Sequence, residues 1–125
     1  MTAPTPTPIT LYGIPNCDTV KKARTWLSEN GVDAVFHDFK KQGLDAATVA
    51  GWLKDASWET LVNRKGTTWR NLDEAEKSRI LDAASATALM LATPSVIKRP
   101  VLVGAGAVQV GFTPERYAAL FGQAQ

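Results

Sequence analysis

Apolar and polar residues alternate over residues 9–12 (ITLY) and the alternation stops at Gly13, which predicts a short strand closed by the loop 13–16 (GIPN). From Cys17 the period changes. Val20, Ala23, Trp26 and Leu27 recur at three- and four-residue intervals while Lys21, Lys22, Arg24, Thr25 and Ser28 take the opposite face, the pattern of an amphipathic helix ended by Asn30-Gly31. Residues 32–39 (VDAVFHDF) have the β-branched and aromatic content of a second strand, so the first forty residues read as a parallel βαβ unit. Helical patterns follow at 44–53, with Asp45 near the start, and briefly at 57–61, before the polar stretch 63–66 (NRKG). One longer helix is expected from Asp73 to about Leu91, with Ala75, Ile80, Leu81, Ala84, Ala88 and Leu89 as its apolar stripe. After Thr93-Pro94 the period returns to two: strands at 101–103 and 108–110 joined by the turn 104–107, then a last helix over 113–121.

The order β α β, helices, β β α is that of a thioredoxin-like (glutaredoxin-like) α/β fold with an α-helical insertion and a central four-stranded mixed sheet. No repeat or shift in composition divides residues 9–121, so one domain is expected there. Residues 1–8 (MTAPTPTP) can neither hold a helix nor donate a full strand ladder and are expected to form a flexible tail. A chain of 125 residues, 45% hydrophobic and 21% charged, can bury one adequate core without covalent staples. Cys17 is the sole cysteine, which excludes an internal disulfide and fits a reducing cytoplasm; a monomer is expected. A formal charge of +2 is too small to argue for nucleic acid or a membrane surface, and no apolar run approaches the roughly 20 residues of a membrane span.

Cys17 stands where a loop enters a helix, with Asn16 before it and Asp18 and Thr19 in the first turn. Free N–H groups and the positive end of the helix dipole favour a thiolate there, and Lys21 and Lys22 add positive potential one turn on. A lone cysteine is otherwise more often a small core residue. Pro100 directly precedes a strand, which is the place of a cis-proline in a thioredoxin fold and of an ordinary trans-proline elsewhere. Arg64 and Arg99 lie in irregular segments from which guanidinium groups can converge on an anion, although either alone is more simply a solvated surface residue. With one histidine, His37, no Cys/His metal site can be assembled. The four tryptophans read as core or cover, and Gly104-Ala105-Gly106 as a hairpin turn and not a dinucleotide loop.

Three blocks, GIPNCDTVKKA at 13–23, RKGTTWR at 64–70 and PSVIKRP at 94–100, resemble the arsenate-reductase-like (ArsC) family in its YffB branch, with Spx-type regulators as cousins. The resemblance spans nearly everything after the Thr/Pro tail. It implies a thioredoxin-like fold, Cys17 as nucleophile, and Arg64 and Arg99 at the positions of two anion-binding arginines of glutathione- or glutaredoxin-coupled arsenate reductases. Two departures bear on the chemistry. The third active-site arginine of those enzymes is matched here by Phe112, which weakens the case for arsenate, and the second cysteine of dithiol relatives is matched by Val20, so any mixed disulfide must be resolved from outside. The expected function is a glutathione-dependent monothiol reductase with no permanent cofactor and no metal. Glutathione is its co-substrate, glutathione or glutaredoxin the resolving partner, and a small oxyanion or glutathionylated protein the substrate. Asn16, Thr19, Lys21 and Pro100 complete the expected binding set. The alternative is a non-catalytic adaptor or transcriptional regulator that binds a protein partner, as the Spx cousins bind RNA polymerase.

Overall fold

β1 (Ile9–Gly13) occupies the middle of the sheet, paired with a neighbour on each edge. β2 (Ala34–Asp38) runs parallel to it, Ile9 opposite Ala34 and Gly13 opposite Asp38, and β3 (Val101–Val103) runs antiparallel, Leu11 opposite Leu102. β4 (Gln109–Val110) closes the order β2-β1-β3-β4 by antiparallel pairing with β3. These assignments come from a computed structural model that describes residues 9–122; the expected tail at 1–8 lies outside the described residues.

Strand pleating sends alternate residues to opposite faces, and two cores result. Leu11 and Leu102 meet Ala23 and Leu27 of α1 (Asp18–Glu29) and Tyr117 of α7 (Pro114–Phe121) on one face. Tyr12 and Val101 face the helical insertion on the other, where Trp52 of α2 (Ala46–Leu53), Leu61 of α3 (Trp58–Leu61) and Met90 of α6 (Ala83–Ala92) fill the core. The parallel βαβ unit, the insertion, the C-terminal hairpin and the last helix therefore follow the expected order. No helix among the described residues is long and apolar enough to cross a membrane.

The insertion is more broken than its apolar pattern predicts. The stretch RKGTTWR contains a helical turn, α4 (Thr67–Arg70), and the single helix expected from Asp73 is two, α5 (Glu74–Ser78) and α6. Asp82 makes the break. Its carboxylate accepts the Ser85 N–H at 2.9 Å, while the Ser85 hydroxyl accepts the backbone N–H groups of Leu81 and Asp82 at 3.0 and 3.1 Å. That reciprocal cap starts a new helix and breaks the expected stripe: Leu89 is buried as expected, but Leu81 is 77% exposed, Ala84 and Ala88 are exposed, and Ala86 and Met90 are buried in their place. The hairpin is also shorter than expected, because the N–H of Val108 leaves the ladder and donates to the Asp55 carboxylate at 3.1 Å.

Both hydrogen bonds from Ser85 hold the Asp82 carboxyl below its ordinary value of 3.8. A lowered native pKa stabilises the fold only above the unfolded value and loses that contribution as pH falls through the native one. Asp82→Ala is therefore expected to melt below the wild type at neutral pH, with the gap closing below pH 3.8. A gap independent of pH in thermal melts would contradict the cap.

Candidate active site

Gly13 ends β1 against α1, where a Cβ would stand 2.8 Å from Val20 Cγ2; the bare backbone lets strand and helix approach closely at the loop that carries Cys17. Cys17 is the N-cap of α1, in extended backbone (φ −118°, ψ 126°), and its side chain makes no capping hydrogen bond. The residue is half-buried, and its sulfur is thus not spent on the helix it begins.

A second segment is brought to it by long-range pairing. Val62 and Ile97 form an isolated antiparallel bridge, reinforced by Lys98 N–H donating to Leu61 O at 2.7 Å and Asn63 N–H to Val96 O at 2.8 Å. These bonds set Asn63 beside Lys98 and Arg99. The Arg99 guanidinium donates to Ser95 O at 3.2 Å, and the Arg99–Pro100 peptide is cis. Pro100 is buried, and its carbonyl accepts the Gly111 N–H at 2.8 Å, which ties the start of β3 to the junction between β4 and α7. At that junction Thr113 caps α7 by accepting the Arg116 N–H at 3.1 Å, and Arg116 Nη2 reaches back to Gln109 Oε1 at 3.2 Å and Val110 O at 3.1 Å.

Together these segments wall a cleft of about 360 Å³. The start of α1 contributes Cys17 and Thr19; the bridged segments contribute Asn63, Lys98 and Arg99; the junction contributes Gly111, Phe112, Thr113 and Arg116. Three cations and no carboxylate line it. The ion pairs among the described residues are Arg64–Glu59 and Lys77–Glu74, both at 3.4 Å, so the charges of Lys98, Arg99 and Arg116 stand uncompensated around one sulfur. Like charges held together in a partly enclosed space raise the local concentration of anions.

Of the residues singled out from sequence, Cys17, Thr19 and Arg99 line this cleft, and Pro100 lies next to Arg99 with its side chain buried. Lys21 lines an adjoining groove of about 630 Å³ floored by Trp26, Phe112 and Pro114. Asn16 is exposed on the loop and does not line the cleft. Arg64 is not brought in either: its guanidinium pairs with Glu59 and lies 5.9 Å from the Trp58 ring centroid. His37, half-buried near the end of β2, donates from Nε2 to Gly43 O at 2.8 Å and packs on Tyr12. Sequence reasoning missed Asn63, Lys98 and Arg116 as site residues. The one signal for Arg116 was the pair Thr113-Pro114, which marks a helix start and sets Arg116 in the first turn.

The model of the ArsC family matches residues 12–120. A solved structure of a YffB protein superposes with a TM-score of 0.84 at 54% identity, covering 90% of this chain and 97% of the other. An uncharacterized protein of Haemophilus influenzae is 42% identical over 113 residues, 90% of this chain and 98% of that one. More distantly, the global transcriptional regulator Spx of Streptococcus pyogenes is 25% identical over 114 residues, 89% of this chain and 83% of its own.

Proposed function

Because this chain belongs to the ArsC family, we propose that it is a glutathione-dependent thiol reductase whose nucleophile is Cys17. The supporting observation is the cleft itself, in which a sulfur with no structural hydrogen bond shares its walls with three uncompensated cations. Glutathione is a tripeptide thiol with two carboxylates, so a cationic cleft beside a nucleophilic sulfur suits it.

The exchange runs in two balanced steps. Cys17 thiolate attacks the glutathione sulfur of a glutathionylated substrate; a new sulfur–sulfur bond forms, the old one breaks, and the substrate leaves as its thiolate. A second glutathione, as thiolate, then attacks the adduct, releasing oxidised glutathione and regenerating Cys17. The second molecule must come from outside, or from a glutaredoxin, because Val20 stands where a resolving cysteine would and the chain has no other. Arg99 and the first turn of α1 hold the anionic ligand, Thr19 and Asn63 offer neutral hydrogen bonds, and Phe112 presents an apolar wall. That wall disfavours a tetrahedral oxyanion, so arsenate reduction is weak or absent. A reducing cytoplasm rich in glutathione is the compartment in which such a cycle turns over.

Incubation with oxidised glutathione, followed by intact-mass and peptide analysis, tests this. A single adduct is expected on Cys17, removed by reduced glutathione. Arg99→Ala slows its formation about tenfold, the loss of one charge-assisted contact, and Arg64→Ala leaves the rate near that of the wild type. No adduct, or a rate indifferent to Arg99, would overturn the reductase. Kinship with Spx supports a second reading, a non-catalytic regulator that binds a protein partner, and the absence of any adduct would favour it.

A further inference from the structure

Gly111 lines the cleft, buried, with φ +81°, a left-handed conformation that side chains rarely adopt. A Cβ placed there would stand 3.3 Å from Lys98 Cε and 3.8 Å from Arg116 Nη1. Two cationic side chains from separate elements thus converge on one point of bare backbone. They are not held there by acids, since no carboxylate lines the cleft.

Arg116 is also aimed. Its Nη2 is committed to Gln109 Oε1 and Val110 O, and Nη1, beside Gly111, keeps its N–H donors for a ligand. A guanidinium immobilised by neutral acceptors before the ligand arrives loses little freedom on binding it. Lys98 is placed by its backbone, bonded to Leu61 O, with its ammonium stem running over Gly111. Phe112 borders both the cleft and the wider groove, an apolar ring between the two.

From this juxtaposition we propose that Lys98 and Arg116, side by side over Gly111, form a carboxylate-binding subsite of the Cys17 cleft, taking one of the two carboxylates of the peptide thiol. The subsite rests on the reading of the cleft as a glutathione site and adds to it a cation from α7 that stands one helical turn beyond Phe112. A carboxylate suits a charge-assisted N–H donor of Nη1 with a second cation beside it.

The probe is S-methylglutathione, which keeps both carboxylates but cannot exchange disulfides. Its Kd is measured by NMR titration for the wild type, Arg116→Ala, Arg116→Lys and Lys98→Ala, alongside its dialkyl ester and inorganic phosphate. Arg116→Ala and Lys98→Ala are each expected to weaken the acid about tenfold, and Arg116→Lys to recover most of the loss. The ester binds wild type and Arg116→Ala alike, which a merely structural role for Arg116 would not produce. Equal affinity of wild type and Arg116→Ala for the acid, with the Cys17 adduct still forming, overturns the subsite and leaves the reductase standing. Equal losses for acid and ester overturn it as well. Phosphate displacing the probe in an Arg116-dependent manner would reassign the pair to tetrahedral oxyanions. A wild type that binds no S-methylglutathione and forms no adduct removes both proposals together.

Discussion

Cys17→Ser abolishes disulfide exchange with oxidised glutathione, at least about a thousandfold, while the protein melts at or above the wild-type temperature. The two halves of this expectation have separate causes. Exchange needs a sulfur nucleophile, since a serine hydroxyl stays protonated near neutral pH and cannot form a disulfide; the chain offers no second thiol to take over. Stability follows the cap. Cys17 occupies the N-cap of α1 without a side-chain hydrogen bond, and serine is among the residues best suited to that place, so the substitution adds up to about 1 kcal/mol. Steady-state exchange with a glutathionylated peptide and a thermal melt of the same sample decide both. Surviving exchange would remove Cys17 from the chemistry; a lower melting temperature would show that the sulfur is needed for packing.

Trp52→Ala is expected to have the largest effect on stability, about 3–5 kcal/mol, against a total of about 5–15 kcal/mol for a domain of this kind. Trp52 is 1% exposed, projects from α2 into the core beneath the sheet, and meets the Tyr12 ring of β1 edge-on with centroids 5.2 Å apart. It thereby joins the helical insertion to the central strand, and alanine would leave a cavity that the short helices around it can close only in part. Urea unfolding should show the midpoint falling with little change in slope. Trp69→Ala is the control. Trp69 belongs to the same core but is only partly buried, and less than half the loss is expected. Comparable losses at both positions would mean that the insertion does not depend on this one contact.

Each element whose residues carry a clear period was legible from the chain. Ile9 to Gly13, the helix after Cys17 and the strand containing Phe36 follow local rules of alternation and capping that act within a turn or a few residues. Within the insertion the helices expected at 44–53 and 57–61 were legible as well, but the stretch after Asp73 was not. Its sequence from Asp73 to Leu91 is rich in alanine and lacks a sharp period, so an apolar stripe could be drawn through it, and the hydrogen bonds between Asp82 and Ser85 decided where the chain turns. Asp82 followed three residues later by Ser85 lacks the Glu or Gln of the common capping pattern, which left the break unmarked.

The candidate site divides along the same line. By itself the sequence determined the α/β order, the place of Cys17 at the mouth of a helix, and the absence of any second thiol, because each depends on neighbours in the chain or on a count. Only the tertiary structure decided which charges face the sulfur. Arg64 was turned away by Glu59 and Trp58, while Lys98 and Arg116 were drawn in by the bridge between Val62 and Ile97 and the bond from Gly111 to Pro100. Those pairings join residues tens of positions or more than ten apart, and no periodicity encodes them: the direction of a long charged side chain is set by the acceptors and rings that the fold sets beside it.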